Sequence, residues 1–209
     1  MTISYPLTYP GGASDIAEVD IVMSSVIGMS QSIYTYEQQL FKHAGERWEM
    51  TVRLNPLNAI DGEPWRAWLA SLRGSWGTFN MGDPSRGTPR GTAATTPGSP
   101  KVRTGAQTGY VLDIYAAPNG AAQYLLPGDY IQLGTAGSAR LHRVLKTVVT
   151  SANGTALLDI WPALRSVPAS GAALVVNSAV GVWRLAANAV QETIAGRIYE
   201  LEFSAVEAL

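Results

Sequence analysis

The sequence predicts a mainly β protein with one packed helix and a small β-barrel inserted into its main body. Three observations carry that prediction. Apolar residues alternate with polar ones at Trp48, Met50, Val52 and Leu54, and again at Tyr199, Leu201, Phe203 and Ala205. That is the period of a strand with one face buried. Only one segment has helical spacing, where Trp65, Trp68, Leu69 and Leu72 form a single apolar stripe. A run of short strand signals with their own turns fills 109–176, after a stretch at 83–108 dense in Gly, Pro, Ser and Thr.

The elements follow in order. Val19–Val26 reads as a first strand and Ile33–Phe41, rich in Tyr and Gln, as a second. Lys42–Gly45 reads as a turn into the strand Trp48–Leu54. Asp61 is placed to cap a helix, and Pro64 suits its first turn because Pro has no N–H to lose there. Arg73 complements the last turn, and Gly74 ends the helix in a left-handed conformation. Two Trp on one face of a short helix require a broad apolar surface opposite, which a sheet provides. Gly77–Met81 is the next strand.

Residues 83–108 read as a polar linker that packs against little. In the middle segment, Tyr110–Tyr115, Tyr130–Leu133, Arg140–Val149, Thr155–Trp161 and Ala173–Val176 read as strands. Leu126–Asp129 is a turn, and Ser151–Gly154 a hairpin whose Asn-Gly pair suits a type I′ turn. Strands of this number and spacing predict a small barrel of oligonucleotide-fold or SH3-like type. Val182–Leu185 is a partner strand for the terminal one, which is apolar on one face and acidic on the other. Neither end of the chain supplies a full core alone. The predicted organisation is therefore one domain from 1–94 and 176–209, interrupted by an inserted barrel at 95–175.

Composition narrows the function. The 209 residues include 15 basic and 16 acidic ones, a net charge of −1. That balance argues against sequence-specific nucleic-acid binding, which needs a basic face. There are no cysteines and two histidines, His43 and His142. Disulfides and thiolate metal sites are excluded, and zinc, haem and Ser-His-Asp chemistry is disfavoured. No cofactor or metal is expected. Met1–Pro6 lacks the basic and apolar regions of a signal peptide. The longest low-charge apolar run, Ala172–Val182, is too short to span a membrane, so a soluble protein without membrane insertion is expected. Charged residues are only 15%, against a typical value of about 25%. A near-neutral surface with so few charges is poorly protected against association, as in a protein covered by partners.

Catalytic motifs of the nucleotide-binding, zinc-protease and serine-hydrolase kinds are absent. Asp113, Asp129 and Asp159 share the middle segment, where two carboxylates could act on a glycan. The simpler reading makes Asp129 a turn residue and the others solvent-facing strand positions. His142 reads as a polar-face residue and His43 as a solvated turn residue. Arg86 and Arg90 could grip a phosphate, or lie in a solvated loop or against a partner's acidic patch. Tyr115, Tyr124, Tyr130 and Trp161 could form a sugar-stacking surface, or fill the barrel. The expectation is a structural or interaction protein, not an enzyme.

Several stretches resemble one known family. They are SYPLTYP at Ser4–Pro10, the aromatic and Gln-rich Ser32–Gln39, WEMTVRL at Trp48–Leu54, and the helix with Trp-x-x-Trp-Leu. GTFNMGDPSRGTPRG at Gly77–Gly91, LLPGDYIQLG at Leu125–Gly134, DIWPALR at Asp159–Arg165 and FSAVEAL at Phe203–Leu209 complete the set. Together they are similar to the distal tail proteins of long-tailed, non-contractile bacteriophages and prophages. The resemblance implies a tail-tube-like β-sandwich or barrel with one packed helix and a long hairpin. It also implies a homohexameric ring at the tail tip of the virion, made in the host bacterial cytoplasm. Its partners would be the tail tube protein and the tail hub or baseplate protein. The added β domain would be a barrel or a carbohydrate-binding unit contacting host surface glycan. The family offers no catalytic residues to carry over.

Overall fold

The computed structural model describes residues 3–195 and 198–209; Met1 and Thr2, part of the segment read above for a leader, lie outside the described residues. The first stretch contains β1 (Leu7–Thr8), β2 (Ile16–Gln31), β3 (Gln38–Leu54), α1 (Ala59–Leu72) and β4 (Phe79–Met81). The middle contains β5 (Lys101–Val102), β6 (Gly109–Tyr115), β7 (Tyr130–Leu133), β8 (Arg140–Val144), β9 (Ala156–Leu164) and β10 (Leu174–Val175). The last contains β11 (Gly181–Leu185), β12 (Glu192–Ala195) and β13 (Ile198–Glu207). The protein is mainly β, with α1 the one α-helix among the described residues.

Two sheets result. The chain ends build the first, in the order β1-β4-β11-β13-β3-β2, with β12 paired to the start of β13. The middle builds the second, in the order β10-β7-β8-β9-β6-β5. Its outer strands meet: Lys101 bridges Ala173, and the Leu174 and Val102 amides each donate 2.9 Å bonds to the Pro100 and Ala172 carbonyls. The second sheet is thereby a nearly closed six-stranded barrel. Leu112, Ile114, Tyr124, Ile131, Leu158 and Ile160 fill its interior.

The first core lies between the sheet and α1. Trp48, Met50, Val52 and Leu54 of β3 and Leu201, Phe203 and Ala205 of β13 are buried, as their alternation requires. All four stripe residues of α1 are buried, and Trp68 packs on Phe79 and Phe203 at ring distances of 5.0 and 5.6 Å. The cap differs from expectation. Asn58, not Asp61, accepts from the Ile60 and Asp61 amides at 2.8 and 3.2 Å. The helix thus starts a turn earlier, which places Pro64 beyond its first turn. Arg73 takes the first left-handed position at φ +53°, ahead of Gly74 at +70°.

Several other expectations are corrected. The separate strand Ile33–Phe41 and the turn at Lys42–Gly45 do not exist: β2 and β3 form one long hairpin turning at Ser32–Glu37. That turn lacks Gly and Pro, and Ser32 holds it by accepting from the Tyr34 and Thr35 amides, while Tyr36 adopts φ +57°. His43–Gly45 instead form a bulge opposite Val26. Next, β8 stops at Val144, because Leu145–Thr150 leaves the sheet with only Val148 bridged to Leu125. The hairpin at Ser151–Gly154 places its positive φ on Gly154 alone, so its type is the loop with one left-handed Gly, not type I′.

Another concerns 83–108, which is not an unpacked linker. The Thr92 and Ala93 amides bond the Gln123 and Tyr124 carbonyls at 2.8 and 3.0 Å, and Ala93 is buried. A Cβ on Gly91 would stand 2.4 Å from the Tyr124 carbonyl oxygen. The small residues there permit close approach of backbone to backbone. Nor is the boundary between the two units sparse. Trp48 donates its indole N–H to the Leu141 carbonyl at 2.9 Å, and its ring meets Trp161 edge-on at 4.5 Å.

Trp68 carries the helix packing by shape, since its indole N–H has no hydrogen-bond partner among the described residues. Trp68→Ala should therefore lower unfolding free energy by about 3–5 kcal/mol, measured by denaturant titration. Trp68→Phe should cost clearly less.

Candidate functional site

The outer half of the β2–β3 hairpin extends away from both cores. Val22, Met23, Val26, Ile27 and Met29 on β2, and Leu40 and Phe41 on β3, are all more than half exposed. At the turn Ile33, Tyr34 and Tyr36 reach 77, 88 and 74% exposure. Between Val22 and Gly45 the only charged residues are Glu37 and Lys42. Met29 stands opposite Leu40 as an apolar cross-strand pair, and Ile27 stands opposite Lys42. An isolated two-stranded ribbon is marginal in water. A contiguous exposed apolar surface of this kind marks an interaction site.

A polar network holds the root of this arm. Glu46 is buried although it sits at the last turn of free ribbon. Its carboxylate accepts from the Ala163 amide at 3.0 Å and from the Tyr110 hydroxyl, and pairs with Lys42 at 3.5 Å. Burial pushes the Glu46 carboxyl up, but the bonds from Tyr110 and Ala163 and the charge of Lys42 outweigh it and hold it below its ordinary range. Arg165 donates to the Glu207 carboxylate and to the Glu46 carbonyl. Glu207, also buried, accepts from the Trp48 amide at 3.1 Å. The barrel residues Tyr110, Ala163 and Arg165 thus clamp the point where the arm leaves the body.

The residues singled out by sequence are dispersed. Tyr124 and Tyr130 are buried in the barrel and at its junction with the body, so they are withdrawn from any sugar-stacking surface. Tyr124 donates its hydroxyl to the Pro97 carbonyl at 2.6 Å, and burial pushes its phenol up to about 12. Tyr115 and Trp161 are half-buried. Ile114 pairs with Ala156, which puts Trp161 about 20 Å along the strands from Tyr115. The four rings form no common platform.

Asp113 and Asp159 are diagonal neighbours across β6 and β9. Each holds a cation, Arg103 at 3.5 Å and Lys146 at 2.8 Å, and exposed Val111 and Leu157 share their open strand face. Asp129 is buried, accepting from the Leu126 amide and from Arg90, so Arg90 is a strut and not a free phosphate ligand. Arg86 stays exposed in its loop. His43 is a strand residue of the bulge rather than a turn residue. Among the described residues no cluster could hold a metal ion, and no helix is long and apolar enough to cross a membrane.

His142 is buried, not a polar-face residue. It lines a cavity of about 170 Å³ with Arg140, Leu164 and Arg165. Its Nδ1 lies 2.8 Å from the Pro162 carbonyl oxygen, which assigns the proton to Nδ1. Burial pushes the imidazole down to about 4; the Pro162 bond opposes this, and the charges of Arg165 and Arg140 add to it.

Sequence reasoning missed the arm's extent and all of its anchors. The scarcity of charge between Val22 and Gly45 was the available signal for the arm. Glu46, Tyr110, Arg165 and Glu207 are far apart in the chain and form no motif. Compared with models of known protein families and with curated proteins, the chain finds no match.

The His142 geometry sets a pH dependence. Between its ordinary value of 6.5 and about 4, the unfolded chain binds a proton that the folded protein refuses. Stability should therefore fall as pH drops through that window, by up to about 3 kcal/mol. His142→Asn keeps an N–H for Pro162 and removes the titration. Its denaturation midpoint should vary less between pH 6.5 and 4 than that of the natural protein.

Proposed function

We propose that the protein is a structural component of a bacteriophage virion, a distal tail protein. Six copies form a ring at the tail tip that joins the tail tube protein to the hub or baseplate. The single observation that carries this reading is the exposed apolar arm of β2 and β3 on a near-neutral chain. Such a surface is stable in water only when something covers it, and a ring of identical copies covers every arm by the same contact. The motif resemblance to distal tail proteins supports the same reading, as does a mainly β body with one helix, a long hairpin and an added barrel. The tail-tube-like class of the body and the role of 95–175 as an inserted domain belong to this proposal. The barrel lacks an exposed aromatic platform, so the proposal assigns it no glycan.

Electron microscopy of the purified chain at high concentration, and of assembled tails, tests the reading. Six-fold annuli are expected. Shortening the arm by replacing Gly28–Phe41 with a tight turn that joins Ile27 to Lys42 should leave thermal unfolding within a few degrees of the natural protein, because the removed residues touch neither core and Lys42 stays on Glu46. It should abolish the annuli. A chain that occupies no ring in tails, or a ring of different symmetry, overturns the proposal.

A further inference from the structure

The seven-stranded sheet carries groups of opposite charge near β11 and at its β2 edge. At one edge, Gly74–Trp76 leads into β4, which lies beside β1. Trp76 is 78% exposed and shares an open concavity with Arg73 and Arg184. Neither arginine makes an ion pair among the described residues. The segment is held rigid from below. The Asn188 side-chain oxygen accepts from the Ser75 amide at 3.2 Å and from its hydroxyl at 2.6 Å. Asn188 also stands against Gly74, where a Cβ would meet its Cα at 3.2 Å. An exposed Trp between two free guanidinium groups, preorganised in this way, has the composition of a binding hot spot.

The opposite edge is β2, which has no strand on its free side among the described residues. Glu18 and Asp20 stand there, exposed; Glu18 pairs with Arg53 at 3.2 Å, and Asp20 has no ion-pair partner among the described residues. Strand register puts these groups on the same outer face as Arg184. Arg184 faces Val206, Val206 faces Glu49 and Glu49 faces Val22, and the next row runs Ser204, Thr51, Asp20. Arg184 on β11 and Asp20 on β2 are thus three strand spacings apart, about 14 Å, on one sheet face.

We infer that the Trp76 edge docks on the β2 edge of a second copy of this chain. The charge complementarity argues for that occupant: a surface that carries both halves of a complementary pair on separate parts of one sheet fits its own copy head to tail. Head-to-tail contacts close into rings when the rotation permits. The inference rests on the ring reading above and supplies its contact residues.

Two full-length variants test it. Arg73→Glu with Arg184→Glu makes both patches acidic, and Glu18→Lys with Asp20→Lys makes both basic. All four positions lie at the surface or half-buried, and circular dichroism with thermal unfolding verifies the folds. Sedimentation velocity at low and high salt reads assembly. Each variant alone should associate at least about tenfold more weakly than the natural chain. An equal mixture should restore assemblies containing both variants in alternation, and high salt should weaken them. Trp76→Ala should weaken association by about tenfold or more without altering the salt dependence. If each variant assembles alone as the natural chain does, or the mixture fails to rescue, this contact is wrong while the ring stands. If the natural chain forms no ring at any concentration or in tails, the ring reading falls and the contact with it.

Discussion

The guanidinium of Arg165 gathers three parts of the chain at one point. It bonds the Glu207 carboxylate at the end of β13 and the Glu46 carbonyl in β3, from a position just past β9. Glu207 in turn accepts the Trp48 amide, and Glu46 accepts the Ala163 amide. Buried charges are tolerated only when each lone pair and each proton finds a partner, and losing one partner strands the rest. The arrangement therefore admits few alternatives. It fixes Trp48, whose indole lies against Trp161 and bonds Leu141. The way the barrel sits on the body, and the place where the arm departs, follow from that fixed ring.

The consequence for the arm is a division of labour along one hairpin. From Glu46 inward, β3 alternates buried and exposed positions, and its core face matches β13 and β2. From Gly45 outward, the same strand has no core to face, and its apolar residues stand in solvent. The bulge at Val26 and His43–Gly45 marks the change. Packing against the core thus ends at the bulge, and in the function proposed above what lies beyond it is stabilised by intermolecular contact. Low charge along the ribbon removes the desolvation cost that charged groups would impose on such a contact. It also removes the protection that charged edges give against indiscriminate pairing.

How much of this was legible in the sequence depended on the range of the interactions. The faces of β3 and β13 and the stripe of α1 follow local periodicity, and the structure has them as the spacing predicts. The short barrel strands were also visible, because Gly and Pro punctuate them. The hairpin turn was not, since Ser32–Glu37 is built by side-chain capping without Gly or Pro, while the turn-like His43–Gly45 is a bulge. The segment 83–108 looked like a linker because small residues signal both flexibility and close packing, and only the Tyr124 backbone opposite Gly91 and Ala93 decides between them. Tyr124 and Tyr130 went inside for a related reason: Tyr124 finds its hydrogen-bond partner in the Pro97 carbonyl, 27 positions away, which no pattern announces. The Glu46 network joins residues more than sixty positions apart, beyond any motif.

The bulge has a mechanical meaning as well. Beyond it the ribbon is five residue pairs and a turn, Ile27–Gln31 against Gln38–Lys42, and its straight part spans about 17 Å. A paired ribbon resists stretching because its length is set by backbone geometry, whereas a bulge is the softest point for bending. In the function proposed above, the arm would be a tether of constant length on an elbow: it would set how far apart two joined bodies stand while leaving their tilt adjustable. A joint of that kind can keep its grip where neighbouring layers differ in diameter, because the mismatch is taken up as an angle and not as a broken contact.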